Sequence, residues 1–393
     1  MAALTKGPVH LINPLYCDDT EAMIGCLRML DIEVEIALNL IIVHGDVGSI
    51  ADQSYRLFAK DSGTTVRFML ALLCIVPGVK TIEGTPRLNE RPIRDLVDGL
   101  RELGAVIEYS DREGCLPLKV LSSTLTGSSV HLKADVSSQF CTSLLLIAPY
   151  LSEGLALQLA TPLISKSYVE MTVQCMQDWG VSVASQKGTF VVAPQAYKKK
   201  QYVIEGDFSS AGYFFAIAAL TQSSIHVENM NPCSIQGDRK FLEALELMGN
   251  VVTYENNGIC VQGKQIKPLD FSMEDCPDQV MTLAVLAAFA DGITKISGVR
   301  SLRTKETERV VALKNELGKM GIRTEDTHDT LTVYGGSPKA ADIATYNDHR
   351  MAMAFAVAKM RLPELTIRNP EVVSKTFPTF WEILSGDARK PSP

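Results

Sequence analysis

Among nine cysteines and six histidines this chain has no Cys-x-x-Cys pair and no His/Cys cluster, which excludes the common zinc and dithiol redox patterns. The odd count and irregular spacing read as reduced thiols in a cytosol-like compartment, not as a disulfide framework. There is no excess of basic residues: the formal net charge is −7, so no nucleic-acid partner is expected from the overall balance. The longest apolar runs reach about a dozen residues, too short to span a bilayer, so no membrane partner is expected. Long linkers and low-complexity tracts are lacking, and Met1–Gly7 carries no signal or transit pattern. The chain is expected to be a cytoplasmic monomer, and with a negative overall balance its useful positive charge has to be local.

What is present is a long internal repeat. Five segments run from a small or polar loop into a very apolar helix, then a strand, then an amphipathic helix ending in a Gly-containing pair. The loops are Ser62-Gly63-Thr64-Thr65, Ser137-Ser138-Gln139, Ser209-Ser210-Ala211, Pro277-Asp278-Gln279 and Asn347-Asp348-His349-Arg350; the amphipathic helices end at Leu103-Gly104, Trp179-Gly180, Met248-Gly249, Met320-Gly321 and Ser385-Gly386. A sixth ends near Leu30-Asp31, and its apolar partner is expected to begin before residue 1. Six units at a spacing of roughly seventy residues exceed any solenoid period. Helices apolar all round, such as Val280–Ala290, have to be buried, whereas Ile93–Leu103 shows one inner stripe. The expected fold is α/β: two similar inverse α/β domains, each of three repeated units with buried apolar helices and outer sheets and helices. The change of domain is placed after the polar run Lys198–Tyr202, giving 1–202, with its first unit incomplete, and 203–393. The tail from Ala388 to Pro393 is expected to fray.

An apolar helix opening at a Ser/Thr/Gly loop presents unpaired N–H groups and the positive end of its dipole, a natural receptor for anions. Several such starts meeting at one point would form a pocket for phosphates and carboxylates. Taken singly, most of the polar motifs at these starts have ordinary structural readings. Gly63 with Arg67 nearby could cradle an anion or simply open a helix. Arg91, before Pro92, can grip an anion bidentately or sit in solvent. Ser137, Ser138, Gln139, Ser165 and Tyr168 read alone as caps. Asp278 reads as a helix cap, or as a base if a hydroxyl reaches it. Lys305 and Arg309 are expected four apart on one helical face with Glu306 beside them. Arg350 is poor core material and calls for an anionic partner. Lys375 is a further candidate cation.

Read in order, these motifs resemble the 5-enolpyruvylshikimate-3-phosphate synthases (3-phosphoshikimate 1-carboxyvinyltransferases) of the enolpyruvyl transferase family. The resemblance runs from about Ala2 to Pro378, through Arg91-Pro92-Ile93 with Leu96-Val97-Asp98-Gly99-Leu100, Ser137-Ser138-Gln139-Phe140, Lys305-Glu306-Thr307 with Arg309, Tyr346–Ala352 and Lys375-Thr376-Phe377-Pro378. It implies two inverse α/β domains of three units each, closing over the substrates. It implies transfer of the enolpyruvyl group of phosphoenolpyruvate to the 5-hydroxyl of shikimate 3-phosphate, with release of phosphate, in chorismate and aromatic amino acid biosynthesis. By this resemblance Ser137, Ser138, Gln139, Ser165 and Tyr168 hold shikimate 3-phosphate. Gly63, Arg91, Gln139, Arg309, Arg350 and Lys375 hold phosphoenolpyruvate. Asp278 takes the hydroxyl proton, Glu306 exchanges a proton at the methylene carbon, and Lys305 supports the phosphorylated substrate. No metal or cofactor is called for.

Some features depart from the family pattern. The Ser-Lys-Ser loop that opens the family's first apolar helix finds no match, because Ala2–Gly7 aligns with the end of that helix and Lys6 falls too late to replace its lysine. Exposed apolar surface is expected in the first domain as a result. Asp61 and Ser301 each stand where the family often has Asn, and Ser167 where it often has Pro. A sister activity on a UDP-amino sugar uses a reactive Cys in the loop before the Arg-Pro segment, and Pro86–Arg91 has none. The competing reading is a catalytically impaired homologue that only binds anions.

Overall fold

The computed structural model describes residues 1–256 and 258–386; the tail from Ala388 lies outside them. Strand pairing and packing divide the chain into one compact unit, Met1–Ile204, and a second beginning at Glu205. Residues 203 and 204 belong to the first unit because Gln201–Val203 pairs in parallel with His10–Ile12, and Ile204 N–H donates to Ile12 C=O at 2.9 Å.

The first unit holds three four-stranded sheets of one design. In each, a strand pairs in parallel with the next, which then pairs antiparallel with a hairpin. Ser54–Phe58 lies against Val79–Glu83, followed by Leu118–Val120 and Ile107–Tyr109; Ser129–Leu132 lies against Leu155–Leu159, followed by Thr189–Val192 and Ala184–Gln186. Gln201–Val203 supplies that parallel strand to the third sheet, beside Gly7–Ile12, Leu40–Gly45 and Val34–Ala37. The second unit contains a four-stranded sheet of the same kind (Asp270–Ser272, Gly292–Ser297, Thr330–Gly335, Arg323–Asp326), a three-stranded sheet and a two-stranded sheet.

The apolar helices are α1 (Gly63–Leu73), α2 (Ser138–Ile147), α3 (Phe208–Thr221), α4 (Val280–Ala288) and α5 (His349–Lys359). Every residue of α4 is buried, as its unbroken apolar sequence requires. In the second unit α3, α4 and α5 pack on one another; in the first, α1 packs on α2. Beside that pair lies an apolar cavity of about 380 Å³, bounded by Met1, Leu4, Leu27, Met69, Leu146 and Trp179 among others. The amphipathic helices end in left-handed residues at Asp31, Gly104, Gly180, Gly249, Gly321 and Gly386, the conformation that closes a helix and that glycine reaches without steric penalty. No helix among the described residues is long and apolar enough to cross a membrane.

Candidate active site

In the first unit the starts of α1 and α2 are joined by side chains. Ser62 caps α1 by accepting from Thr65 N–H at 3.2 Å, and Ser137 caps α2 by accepting from Gln139 N–H at 3.3 Å. The Gln139 amide then spans to α1. Arg67 Nη1 donates to its Oε1 at 2.5 Å, and its Nε2 donates to Thr64 Oγ1 at 2.9 Å. Gly63 faces two guanidinium groups. A Cβ built there would stand 2.8 Å from Arg91 Nη1 and 3.3 Å from Arg67 Nη1, so only a hydrogen leaves both arginines their present places. Asp61 is held by the Thr85 hydroxyl, which donates to its Oδ1. Ser165, in left-handed backbone, precedes helix Lys166–Asp178. Its loop is tied to the approach to Ser137, since Ile164 N–H donates to Ala134 C=O at 3.3 Å. Tyr168 lies in the first turn of that helix, which packs on α2 through Thr142 and Thr172 hydroxyls 2.8 Å apart. Thus Gly63, Arg91 and Gln139 share one neighbourhood with Arg67 and Thr64, while Ser137, Ser138, Ser165 and Tyr168 open adjoining helices.

In the second unit a buried guanidinium organises the remaining candidates. Arg309 is 1 % exposed and donates from Nε to Asp348 Oδ2 (2.7 Å), from Nη1 to Asp278 Oδ1 (3.1 Å) and from Nη2 to Glu306 Oε2 (2.9 Å). Each carboxylate has further partners. Asp278 Oδ2 accepts from Arg350 Nη2 at 2.9 Å, Glu306 Oε1 accepts from Lys375 Nζ at 2.8 Å, and Asp348 caps α5 through Arg350 N–H at 2.9 Å. Arg350 Nη1 also reaches the Tyr213 hydroxyl at 3.4 Å. Asp278, Glu306, Arg309, Arg350 and Lys375 therefore form one connected network.

Burial alone would push the Asp278 carboxyl up, yet Arg350, Lys305 and Arg309 together hold it well below the usual carboxylate range. Burial likewise works against Asp348, and Arg309 keeps it low. His349, almost fully buried, is pushed down to about 3 by burial and is neutral. Burial pushes the Tyr213 hydroxyl up to about 12. The arrangement offers two anionic oxygens at Asp278 and Glu306 surrounded by fixed cations, suited to moving protons beside bound anions.

Two local expectations need correction. Lys305 and Arg309 do not share a helical face: Lys305 is extended after the short turn Arg300–Thr304, and the helix Arg309–Lys319 begins only at Arg309, capped by Glu308. Asp278 is not a helix cap either. Cys276 is the N-cap of the turn Pro277–Gln279, Asp278 lies in its first turn, and the Asp278 carboxyl is engaged by the two arginines. The sequence reading also passed over Tyr213 and the anchoring role of Asp348. Tyr213 opens the apolar stretch of α3 that runs to Leu220, and a buried phenol needing a partner was the available signal. Among the described residues, Glu33, Glu35 and His44 are close enough to share an ion, but Glu33 and Glu35 are exposed.

Comparison with known proteins decides the family. A family model described as EPSP synthase (3-phosphoshikimate 1-carboxyvinyltransferase) matches residues 1–384. The chain belongs to the EPSP synthase family. It is 38 % identical over 388 residues to the 3-phosphoshikimate 1-carboxyvinyltransferase of Syntrophobacter fumaroxidans, covering 97 % of this chain and 92 % of that one. It is 39 % identical over 407 residues to the chloroplastic 3-phosphoshikimate 1-carboxyvinyltransferase of Solanum lycopersicum, covering 98 % and 78 %. A structure of EPSP synthase from Acinetobacter baumannii superposes with a TM-score of 0.81 at 23 % identity, over 98 % of this chain and 91 % of that one; at that identity the likeness speaks for the α/β fold.

Proposed function

We propose that this chain transfers the enolpyruvyl group of phosphoenolpyruvate to the 5-hydroxyl of shikimate 3-phosphate, releasing phosphate. The observation that carries this reading is the Asp278–Arg309–Glu306 network with Arg350 and Lys375 at its ends, in a chain 38 % identical along nearly its full length to a 3-phosphoshikimate 1-carboxyvinyltransferase. In the addition step, Asp278 takes the hydroxyl proton as the hydroxyl oxygen bonds to C2 of phosphoenolpyruvate, and Glu306 passes to C3 a proton drawn from the Lys375 ammonium that donates to its Oε1. In the elimination step Asp278 returns the hydroxyl proton to the departing phosphate oxygen as the bond from C2 to that oxygen breaks, and Glu306 takes a proton back from the new methyl group as the C2–C3 double bond re-forms. Protons and electron pairs balance without an external oxidant or reductant.

The cations have a physical task. Two multiply charged anions have to approach each other, and their repulsion has to be offset by fixed positive charge and helix N-termini. Arg309, Arg350, Lys375, Arg91 and Gly63 are assigned to phosphoenolpyruvate. Ser137, Ser138, Ser165, Tyr168 and Lys305 are assigned to shikimate 3-phosphate, with Gln139 touching both. Asp278 is a weak base while cations alone surround it; bound anions offset them and raise its proton affinity where the hydroxyl arrives. Steady-state phosphate release tests the proposal. The expected result is release that saturates in both substrates and stops when either is omitted. Binding of both without turnover would favour a protein that only holds anions.

A further inference from the structure

Asp238 has no part in the scheme above, yet it is 4 % exposed and lies in the turn Gly237–Lys240, packed against both the Pro277–Gln279 turn and α3. The cations next to it in sequence are directed elsewhere. Arg239 lies over the Tyr254 ring at 5.5 Å, and Lys240 donates to Asp275. The turn of Asp238 meets the turn that carries Asp278 and meets α3. The charges of Asp278 and Asp207 oppose ionisation of Asp238, while Arg350 at the start of α5 and the Ser209 hydroxyl at the start of α3 favour it; the neighbouring Cys276 thiol is itself pushed up by burial and neutral. Asp207 is exposed and occupied in capping α3 through Ser209 and Ser210 N–H.

Charge accounting gives this carboxyl a consequence. Around the Arg309 network stand the cations Arg309, Arg350, Lys305 and Lys375 and the carboxylates Asp278, Glu306 and Asp348. The balance is one positive charge if Asp238 is neutral and zero if it is ionised. Burial first, and the Asp278 charge second, push the Asp238 carboxyl up to about 7.

Building on the function proposed above, we propose that Asp238 is a positioning residue: a buried acid that carries its proton while phosphoenolpyruvate binds, keeps the Arg350 side of the network net positive, and weakens anion binding when it ionises. It touches no substrate and acts through Asp278 and Arg350.

The test is the pH profile of KM for phosphoenolpyruvate in the full chain. Wild type is expected to show KM rising roughly tenfold from about pH 6 to about pH 8.5, the scale of effect that one added charge at partly screened depth produces. Asp238→Asn, of the same shape but always neutral, is expected to keep the low KM and flatten this rise. A rise of wild-type size in Asp238→Asn, or a KM raised at every pH, overturns the inference. Ser209→Ala gives an independent arm should the Asn variant fold poorly. Removing a hydroxyl that favours the ionised form moves the wild-type inflection to higher pH, and an unmoved inflection counts against the proposal. Carboxyl carbon NMR of wild type against either variant reads the titration of Asp238 without turnover. Titration near neutrality in a protein with no turnover would sink the functional reading alone; turnover with an Asp238 carboxyl ionised throughout this range would sink this inference alone.

Discussion

Replacing Asp278 by Asn separates the chemical role of this carboxylate from its structural one. In the structure its two oxygens accept from Arg309 Nη1 at 3.1 Å and Arg350 Nη2 at 2.9 Å, and its side chain is 16 % exposed. Removing one partner of a buried ion pair costs about 3–5 kcal/mol. Here the loss is smaller, because Arg309 keeps Asp348 and Glu306, Arg350 keeps the Tyr213 hydroxyl, and Asn retains an acceptor oxygen; a loss of roughly 2 kcal/mol in the unfolding free energy from denaturant titration is expected. Catalysis should lose more. Without a group to take the hydroxyl proton, kcat is expected to fall on the order of 10²–10⁴-fold. KM for phosphoenolpyruvate should be no higher than in wild type, since the change removes a negative charge from an anion-receiving network. Phosphate-release kinetics at saturating shikimate 3-phosphate read both constants. An unchanged kcat with a raised KM would refute the argument, because it would make Asp278 only a support for the arginines.

Gly63→Ala should drive a methyl group against the Arg91 guanidinium, 2.8 Å from the added carbon; KM for phosphoenolpyruvate is expected to rise about tenfold with kcat within a few-fold of wild type, and an unchanged KM would remove Arg91 from that contact. Arg309→Lys should cost about 3–5 kcal/mol of unfolding free energy, since one ammonium cannot serve the three carboxylates that the guanidinium fork serves; a loss below about 1 kcal/mol would contradict the network. His349 is depressed from 6.5 to about 3 in the folded protein, so the unfolded chain takes up its proton first on acidification. Its contribution is complete above the unfolded value of 6.5 and is lost as pH falls towards about 3, costing about 1.4 kcal/mol per pH unit. Unfolding free energies from urea titrations at about pH 7 and about pH 5 should differ by roughly 2 kcal/mol more in wild type than in His349→Gln, and equal differences would show that His349 is not buried neutral.

The parts of the fold legible in sequence were those with a strong period or a strong backbone signal. The largely apolar runs after Ser62, Ser137 and Asp348 became buried helices, and the few polar side chains within them find partners, as Arg67 does at Gln139 and Thr142 at Thr172. The terminal glycines became left-handed helix ends. Local spacing misled where the backbone changed state within five residues. Lys305 and Arg309 have helical spacing, but Glu308 caps a helix whose first residue is Arg309 and leaves Lys305 extended. Asp278 looked like a cap because it precedes an apolar run, whereas its carboxyl is engaged by arginines from two other elements. Asp238 gave no signal at all: Gln236-Gly237-Asp238 reads as an ordinary turn, and only packing against the Asp278 turn and α3 buries its carboxyl.

Phosphorus NMR of the chain mixed with shikimate 3-phosphate and phosphoenolpyruvate tests the central claim most directly. The account predicts that the phosphoenolpyruvate signal decays while inorganic phosphate and one new phosphate monoester appear in equal amounts. Inorganic phosphate without the new ester, or a spectrum unchanged over many hours, would contradict it.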